Sequence, residues 1–142
     1  MILNSNMSRN GDGGVNLLSP SALAFVGDTV FDLLVREQLV RQANRPSGKL
    51  QTQAARQVCA AAQAEAAHVI EPALDERERA VFLRGRNAHS ARIPKNATRA
   101  DYRLATGLEA LFGWLYLRGE DDRLLELFGL ICGRASPGDG GK

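Results

Sequence analysis

The sequence predicts an all-α fold in a single domain of about five to seven helices. Alanine, leucine, glutamine, arginine and glutamate dominate the chain, and these residues favour helices. β-branched residues are scattered, and the alternation of apolar and polar residues that is typical of strands is not sustained. At 142 residues the chain has the usual length of one domain. We expect a flexible tail over residues 1–16, the domain over 17–133 and a second flexible tail over 134–142.

The first two predicted helices are long. Ser19-Pro20 is a typical helix start, and an apolar stripe at helical spacing follows it, which predicts a helix from Pro20 to about Gln42. The segment from Lys49 to Glu71 is rich in Ala and Gln and is followed by a proline. It predicts one long, closely packing helix.

Three further helices and a polar loop complete the expected order. Asp75 and Glu78 have the spacing of a capping box, which predicts a short helix from Asp75 to about Leu83. The segment from Gly85 to Ala97 is polar and predicts a loop. We expect the next helix from near Thr98 to about Leu117, and a final amphipathic helix over Glu120 to Gly133.

The basic residues are unevenly distributed, although the formal net charge is only +2. No acidic residue lies between Glu78 and Asp101, and a second acid-free stretch runs from Glu37 to Glu65. The first of these stretches contains Arg79, Arg84, Arg86, Arg92, Lys95 and Arg99. Such stretches are usually solvated faces, but they are also suited to binding phosphate.

Two carboxylates each stand alone in an apolar stretch: Asp28 in the first predicted helix and Glu109 in the penultimate one. We expect both to be buried, where an ionised carboxylate is unfavourable unless it is paired or bound to a metal. The small neighbours Gly27, Gly107 and Gly113 allow close helix approach, so that both carboxylates could share one ligand. An all-oxygen pair favours a hard cation such as Mg²⁺. The alternative is that each carboxylate separately caps a helix or pairs with an arginine.

Two segments resemble the signatures of the ribonuclease III family. Leu23-Ala24-Phe25-Val26-Gly27-Asp28-Thr29-Val30 is similar to the family's first core helix, where an aromatic residue, an apolar residue, Gly and Asp follow one another. Glu109-Ala110-Leu111-Phe112-Gly113-Trp114-Leu115-Tyr116-Leu117 resembles the family's later acidic helix, and Arg84-Gly85 stands before the loop as in the family. The segments follow one another in the family's order, and the resemblance extends from Ser19 to Leu130.

Departures from the usual pattern resemble the compact bacterial branch of that family, Mini-ribonuclease III. Ala24 and Thr106 stand where the standard family has two further acids, and we expect no RNA-binding domain after Ile131. The segments Arg84-Gly85-Arg86-Asn87-Ala88 and Pro94-Lys95-Asn96 are also similar to that branch. The loss of two acids leaves open whether one or two metal ions bind.

The resemblance implies an endoribonuclease that hydrolyses double-stranded RNA with Mg²⁺, for which Mn²⁺ is expected to substitute. Asp28 and Glu109 are then both the catalytic residues and the metal ligands. The implied substrate is the precursor of 23S ribosomal RNA, and the implied assembly is a homodimer with Phe25 at its interface. The residues expected to bind RNA are Lys49, Arg84, Arg86, Asn87, Arg92, Lys95 and Asn96.

Other features bear on location and on competing functions. The chain has no apolar run long enough to cross a membrane, no secretory signal pattern in residues 1–16, and only two cysteines, so we expect a cytoplasmic protein without a membrane partner. A non-catalytic RNA-binding or ribosome-assembly module on the same fold is the main alternative, supported by Ala24 and Thr106. A structural helical adaptor is weaker, because it leaves the isolated acids unexplained.

Overall fold

Six α-helices build the fold in the computed structural model, which describes residues 14–88 and 93–133. They are α1 (Pro20–Gln42), α2 (Ser47–Val58), α3 (Ala60–Ile70), α4 (Glu76–Arg86), α5 (Arg99–Leu117) and α6 (Asp121–Ile131). Short 3₁₀ turns occupy Val15–Leu17 and Glu71–Ala73. The described residues contain no strand, which confirms the predicted all-α class. None of the described helices is both long and apolar enough to pass through a bilayer.

Helix α5 is the central element, and α1, α3, α4 and α6 all pack against it. Its apolar stretch is buried along most of its length, as expected from the sequence. Phe31 of α1 meets Phe112 of α5 edge to face, with ring centroids 5.6 Å apart, and meets Phe128 of α6 in the same way at 5.9 Å. These three rings join α1, α5 and α6 in one core.

The backbones of α1 and α5 touch where the two helices cross. A Cβ atom at Gly27 would overlap the backbone carbonyl oxygen of Glu109, and one at Gly113 would overlap that of Leu23. Glycine is therefore required at both positions for this close approach. Because Asp28 directly follows Gly27, the crossing brings the two predicted carboxylates to the same place in the fold.

The single long helix predicted over Lys49 to Glu71 is wrong, because Cys59 divides it into α2 and α3. Cys59 has extended backbone angles, φ −70° and ψ 161°. The two halves have different packing partners: α2 lies mainly on α1, whereas α3 lies mainly on α5. A straight helix could not follow both surfaces, and an alanine-rich sequence contains no marker for such a break.

Helix α4 begins as predicted. The Asp75 side chain accepts a hydrogen bond from the Glu78 amide at 2.8 Å, and the Glu78 side chain accepts one from the Asp75 amide at 2.9 Å. The helix continues to Arg86 rather than ending near Leu83. Its last turn is packed, since a Cβ at Gly85 would lie 2.8 Å from the Ala110 Cβ. The loop therefore begins after Arg86 and not at Gly85, where the sequence predicted its start.

Arg123 joins α6 to the start of α4. Its guanidinium donates to both carboxylate oxygens of Glu78, at 2.8 and 2.9 Å, and to the Ala73 carbonyl at 2.7 Å. The Glu78 carboxylate is buried, and these bonds together with the capping box satisfy it. Hydrogen bonding to Glu78 also raises the pKa of Arg123, so the guanidinium stays charged.

The ends of α5 agree with the sequence. Thr98 caps its first turn by accepting from the Asp101 amide at 3.0 Å, and Gly119 follows its last turn with φ 76°. The N-terminal segment also contacts this helix, because Asn16 accepts a hydrogen bond from the Trp114 indole at 3.0 Å. Asn16 falls in the range 1–16 that the sequence assigned to a tail. The rest of that range up to residue 13, and residues 134–142, lie outside the described residues.

Candidate active site

An open cavity of about 430 Å³ lies between α1, α4 and α5, and both predicted carboxylates are in its wall. Asp28 comes from α1 and Glu109 from α5, with Gly85 of α4 closing one side. Residues 81 positions apart in the sequence thus line one cavity. The hypothesis that the two carboxylates meet agrees with this geometry.

The two carboxyl groups are close enough to share a hydrogen bond, and this changes the acidity of one of them. Burial raises the pKa of Glu109 to about 8, with further contributions from the negative charge of Asp28 and from their mutual hydrogen bond. The side chain of Gln63 acts in the opposite direction on this pKa by favouring the ionised form. Without a cation, a proton on Glu109 reduces the repulsion within the pair.

The expectation that both carboxylates are buried is wrong for Asp28. Asp28 is exposed, and Glu109 is only partly buried. The apolar stretch around each acid does form core, but both acids lie at the side of the helix crossing that faces the cavity. A sequence window reports the average environment of a helix and not the edge at which one residue lies.

Gln63 of α3 approaches this pair from within the core. It is 2% exposed, one of only two polar or charged residues among the buried described residues. Its amide lies near the Glu109 carboxylate, although its side-chain nitrogen has no partner in good hydrogen-bonding geometry among the described residues. Buried amide groups usually have a partner, so this donor is available to an ionised Glu109.

The donors present fit a hard divalent cation. Carboxylate oxygens are preferred by Mg²⁺, which keeps several waters and commonly takes only one or two protein carboxylates. Burial and, after it, the negative charge of Asp28 raise the pKa of Glu109, and a cation held by the two carboxylates would relieve this charge repulsion. Within the described residues no three or more His, Cys, Asp or Glu side chains cluster as a richer metal site.

Ala24 and Thr106 stand in the same cavity wall and supply no charge. The Thr106 hydroxyl donates to the Tyr102 carbonyl at 2.9 Å, within its own helix. The acidic side chains of this cavity wall are therefore Asp28 and Glu109.

Three of the residues expected to bind RNA lie at the end of α4, beside the cavity. The exposed Arg84 donates to the Leu18 carbonyl at 3.3 Å, and the partly buried Arg86 donates to the Asn87 side chain at 3.3 Å. Gly85, between the two arginines, is in the cavity wall. Both arginines belong to the last turn of α4, although Arg86 was expected in the predicted loop.

The other expected RNA-binding residues are more widely distributed. Lys95 and Asn96 are exposed in the segment that leads into α5. Lys49 is exposed in the first turn of α2 and is not in the cavity wall. Arg92 lies outside the described residues. Phe25, expected at a dimer interface, is 81% exposed on α1, and its side chain borders the cavity.

The residues that sequence reasoning missed at the site include Tyr102, Arg103 and Gln63. The first two line the cavity on α5. Tyr102 precedes Glu109 by seven residues, which places both on one face of a helix, so this spacing was a usable signal. Gln63 had no comparable signal, because a neutral amide in an alanine-rich helix does not stand out.

Comparisons with known proteins agree with this fold. Residues 21–120 match the family model of the ribonuclease III domain. The chain is 44% identical over 117 residues to the Mini-ribonuclease 3 of Thermoanaerobacter sp., covering 82% of each chain. It is 44% identical over 110 residues to the Mini-ribonuclease 3 of Symbiobacterium thermophilum, covering 78% of this chain and 85% of the relative.

A solved structure shares this fold. The fold superposes on the crystal structure of a Fusobacterium nucleatum protein with a TM-score of 0.74 and 26% sequence identity, covering 80% of this chain and 87% of that one. The predicted resemblance is confirmed by the family match and by relatives that align over most of their length. The chain belongs to the ribonuclease III family, among the Mini-ribonucleases 3.

Proposed function

We propose that this protein is an Mg²⁺-dependent endoribonuclease that hydrolyses phosphodiester bonds in double-stranded RNA, with Asp28 and Glu109 as its catalytic and metal-binding residues. The observation that carries the proposal is the pairing of these two carboxylates in an open cavity at the crossing of α1 and α5. Membership of the ribonuclease III family supports the same reaction. Mn²⁺ is expected to substitute for Mg²⁺, since it also takes oxygen ligands.

The chain's own residues prepare the cavity for this reaction. When bound, Mg²⁺ supplies Lewis acidity for phosphodiester hydrolysis. Asp28 and Glu109 provide the oxygen donors, and Glu109 must lose its proton to do so. Gln63 assists by favouring the ionised form of Glu109. The cavity is open to solvent on one side, which allows a phosphate of a long duplex to enter.

Recognition of the duplex is proposed to depend on shape and charge. Double-stranded RNA presents phosphates and 2′-hydroxyls across its shallow minor groove, and sequence is poorly readable there. Basic residues suit the phosphates and amides suit the hydroxyls. The proposed RNA-binding set is Lys49, Arg84, Arg86, Asn87, Arg92, Lys95 and Asn96.

The proposal also includes an assembly and a natural substrate. We propose a homodimer with Phe25 at the interface, because a phenylalanine that is 81% exposed is costly to leave in water. The proposed substrate is the precursor of 23S ribosomal RNA, and the proposed location is the cytoplasm. The domain is proposed to extend over 17–133.

Cleavage of a long RNA duplex tests the activity. The purified protein is incubated with the duplex and Mg²⁺, with and without a chelator, and with single-stranded RNA of the same sequence. We expect short duplex products only when metal and duplex are both present. Asp28→Asn and Glu109→Gln should abolish cleavage but retain duplex binding, while Glu65→Gln, which changes an exposed acid on α3 outside the cavity wall, should cleave normally.

Two results would contradict the proposal. Near-normal cleavage by Asp28→Asn or Glu109→Gln would show that the site is assigned wrongly. Tight binding of the duplex by the unaltered protein, without cleavage in Mg²⁺ or Mn²⁺, would instead favour a non-catalytic RNA-binding or ribosome-assembly module.

A further inference from the structure

Arg103 is an exposed arginine in the wall of the cavity that contains Asp28 and Glu109. Across residues 14–88 and 93–133 its guanidinium forms no ion pair and no hydrogen bond. Three other arginines in this part of the chain are held by acids: Arg36 by Asp32, Arg79 by Glu71 and Arg123 by Glu78. Arg103 therefore differs from them in having its donors available.

The position of Arg103 relative to the carboxylates is informative. Arg103 precedes Glu109 by six residues, which corresponds to a rise of about 9 Å along the helix axis. It borders the same cavity as two acids and yet pairs with neither of them. An arginine presents five N–H donors in a planar fork that matches the oxygens of a phosphate.

The negative charge in the cavity indicates what the guanidinium group of Arg103 could do there. A phosphodiester that enters meets the negative charge of Asp28, and also that of Glu109 once this residue is ionised, and such repulsion must be offset for the substrate to bind. A metal ion held by Asp28 and Glu109 would offset part of this repulsion. A cationic side chain in the same wall that pairs with neither carboxylate can hold a phosphate without competing for that metal.

We propose that Arg103 is a phosphate-binding residue of the cavity, which holds a phosphate of the RNA strand next to Asp28 and Glu109. The inference rests on the proposed function and deepens it, because it assigns a substrate contact to a residue outside the RNA-binding set named above. Removal of the guanidinium should weaken both duplex binding and cleavage.

The experiment compares Arg103→Ala and Arg103→Lys with the unaltered protein. The matched control is Arg36→Ala, which removes an exposed arginine that is absent from the cavity wall. Circular dichroism checks that each variant is folded. Duplex binding is measured at several salt concentrations without metal, and cleavage is measured in single-turnover reactions with Mg²⁺.

Arg103→Ala should lower cleavage by about 10-fold to 100-fold, the effect of losing one charge-assisted hydrogen-bonding group. The slope of log binding constant against log salt should fall by about 0.9, as for one lost phosphate contact. Arg103→Lys should retain the salt slope but recover only part of the cleavage, because lysine lacks the fork. Added methylguanidinium should partly restore cleavage by Arg103→Ala and leave Arg36→Ala unchanged.

The outcomes separate this inference from the proposed function. If the unaltered protein cleaves duplex RNA and Arg103→Ala equals Arg36→Ala in cleavage and salt slope, Arg103 is only a solvated surface residue and the inference is overturned. If the unaltered protein neither binds nor cleaves the duplex, the proposed function and the inference are overturned together.

Discussion

Gly27 packs directly against the backbone carbonyl group of Glu109, so the residue that precedes one candidate carboxylate touches the residue that carries the other. The distance between the two carboxylates is thus set by a backbone contact. Side-chain packing can adjust around a substitution, but two touching backbones cannot.

Gly27→Ala is expected to destabilise the protein by at least about 2 kcal/mol, because the added Cβ overlaps the Glu109 carbonyl and the helices must separate. Urea unfolding followed by circular dichroism measures this change. The matched control is Gly129→Ala in α6, where a Cβ meets no atom within 4 Å. That substitution should raise the stability by about 0.5–1 kcal/mol. Equal stability of the two variants would show that α1 and α5 do not touch.

Asp28→Asn is expected to lower the pKa of Glu109 from about 8 towards its ordinary value, because a negative neighbour is removed. Part of the rise in the pKa of Glu109 should remain in the variant, because burial also contributes to it. NMR titration of the Glu109 side-chain carboxyl carbon, without metal, measures the pKa in both proteins. An unchanged pKa in the variant would mean that the two carboxyl groups do not interact.

The raised pKa of Glu109 also predicts a pH dependence of stability. The folded protein holds this proton up to about pH 8, whereas the unfolded chain releases it near pH 4.5. The folded state then binds more protons between these values, so the stability of the metal-free protein should fall as pH rises from 4.5 to 8. Unfolding in urea at several pH values tests the sign. The loss of stability with rising pH should be smaller in the Glu109→Gln variant, which lacks this titrating group.

Arg123→Ala is expected to cost about 3–5 kcal/mol of unfolding free energy, because the buried Glu78 carboxylate loses its cation. Glu78→Gln combined with Arg123→Ala should recover part of that loss, since no buried charge then stands alone. Arg41→Ala is the control: it removes an ion pair whose arginine side chain is 77% exposed, and should cost less than about 0.5 kcal/mol. Similar losses for Arg41→Ala and Arg123→Ala would contradict the link between α4 and α6.

Charge reversal at Arg86 and Lys95 together is expected to weaken duplex binding and to reduce the salt slope by about 2, as two phosphate contacts are lost. Fluorescence anisotropy at several salt concentrations measures both quantities. Arg36→Glu controls for the general effect of added negative charge on an exposed helix face. An unaltered salt slope in the double variant would remove these two residues from the proposed RNA-binding set.

Phe25→Ala is expected to weaken the proposed homodimer by about 30-fold or more, the effect of removing an aromatic anchor from an interface. The helix content of the Phe25→Ala variant should not change, because the Phe25 side chain is exposed within one chain. Analytical ultracentrifugation measures the association. Val40→Ala changes another exposed apolar residue on α1 and should leave association unaltered. A monomeric unaltered protein at all concentrations would disprove the dimer.

The sequence was sufficient for features that depend on local chemistry or on a family motif. The capping box of Asp75 and Glu78 and the last turn before Gly119 follow from residue types alone. Placing Asp28 and Glu109 together required the family motifs, because spacing could not bring distant segments into contact. The break at Cys59 and the exposure of Asp28 escaped prediction, since both depend on which surfaces the neighbouring helices leave free.

The contact between Gly27 and Glu109 also has a consequence for the motions of the site. Segments that open locally exchange their amide hydrogens without unfolding the whole protein, whereas core segments exchange only when everything unfolds. Because the turns of α1 and α5 that touch each other lie in the core, we expect their amides to exchange only when the whole protein unfolds, and therefore slowest. We therefore expect Asp28 and Glu109 to stay together for as long as the protein is folded, without a partial opening that separates them.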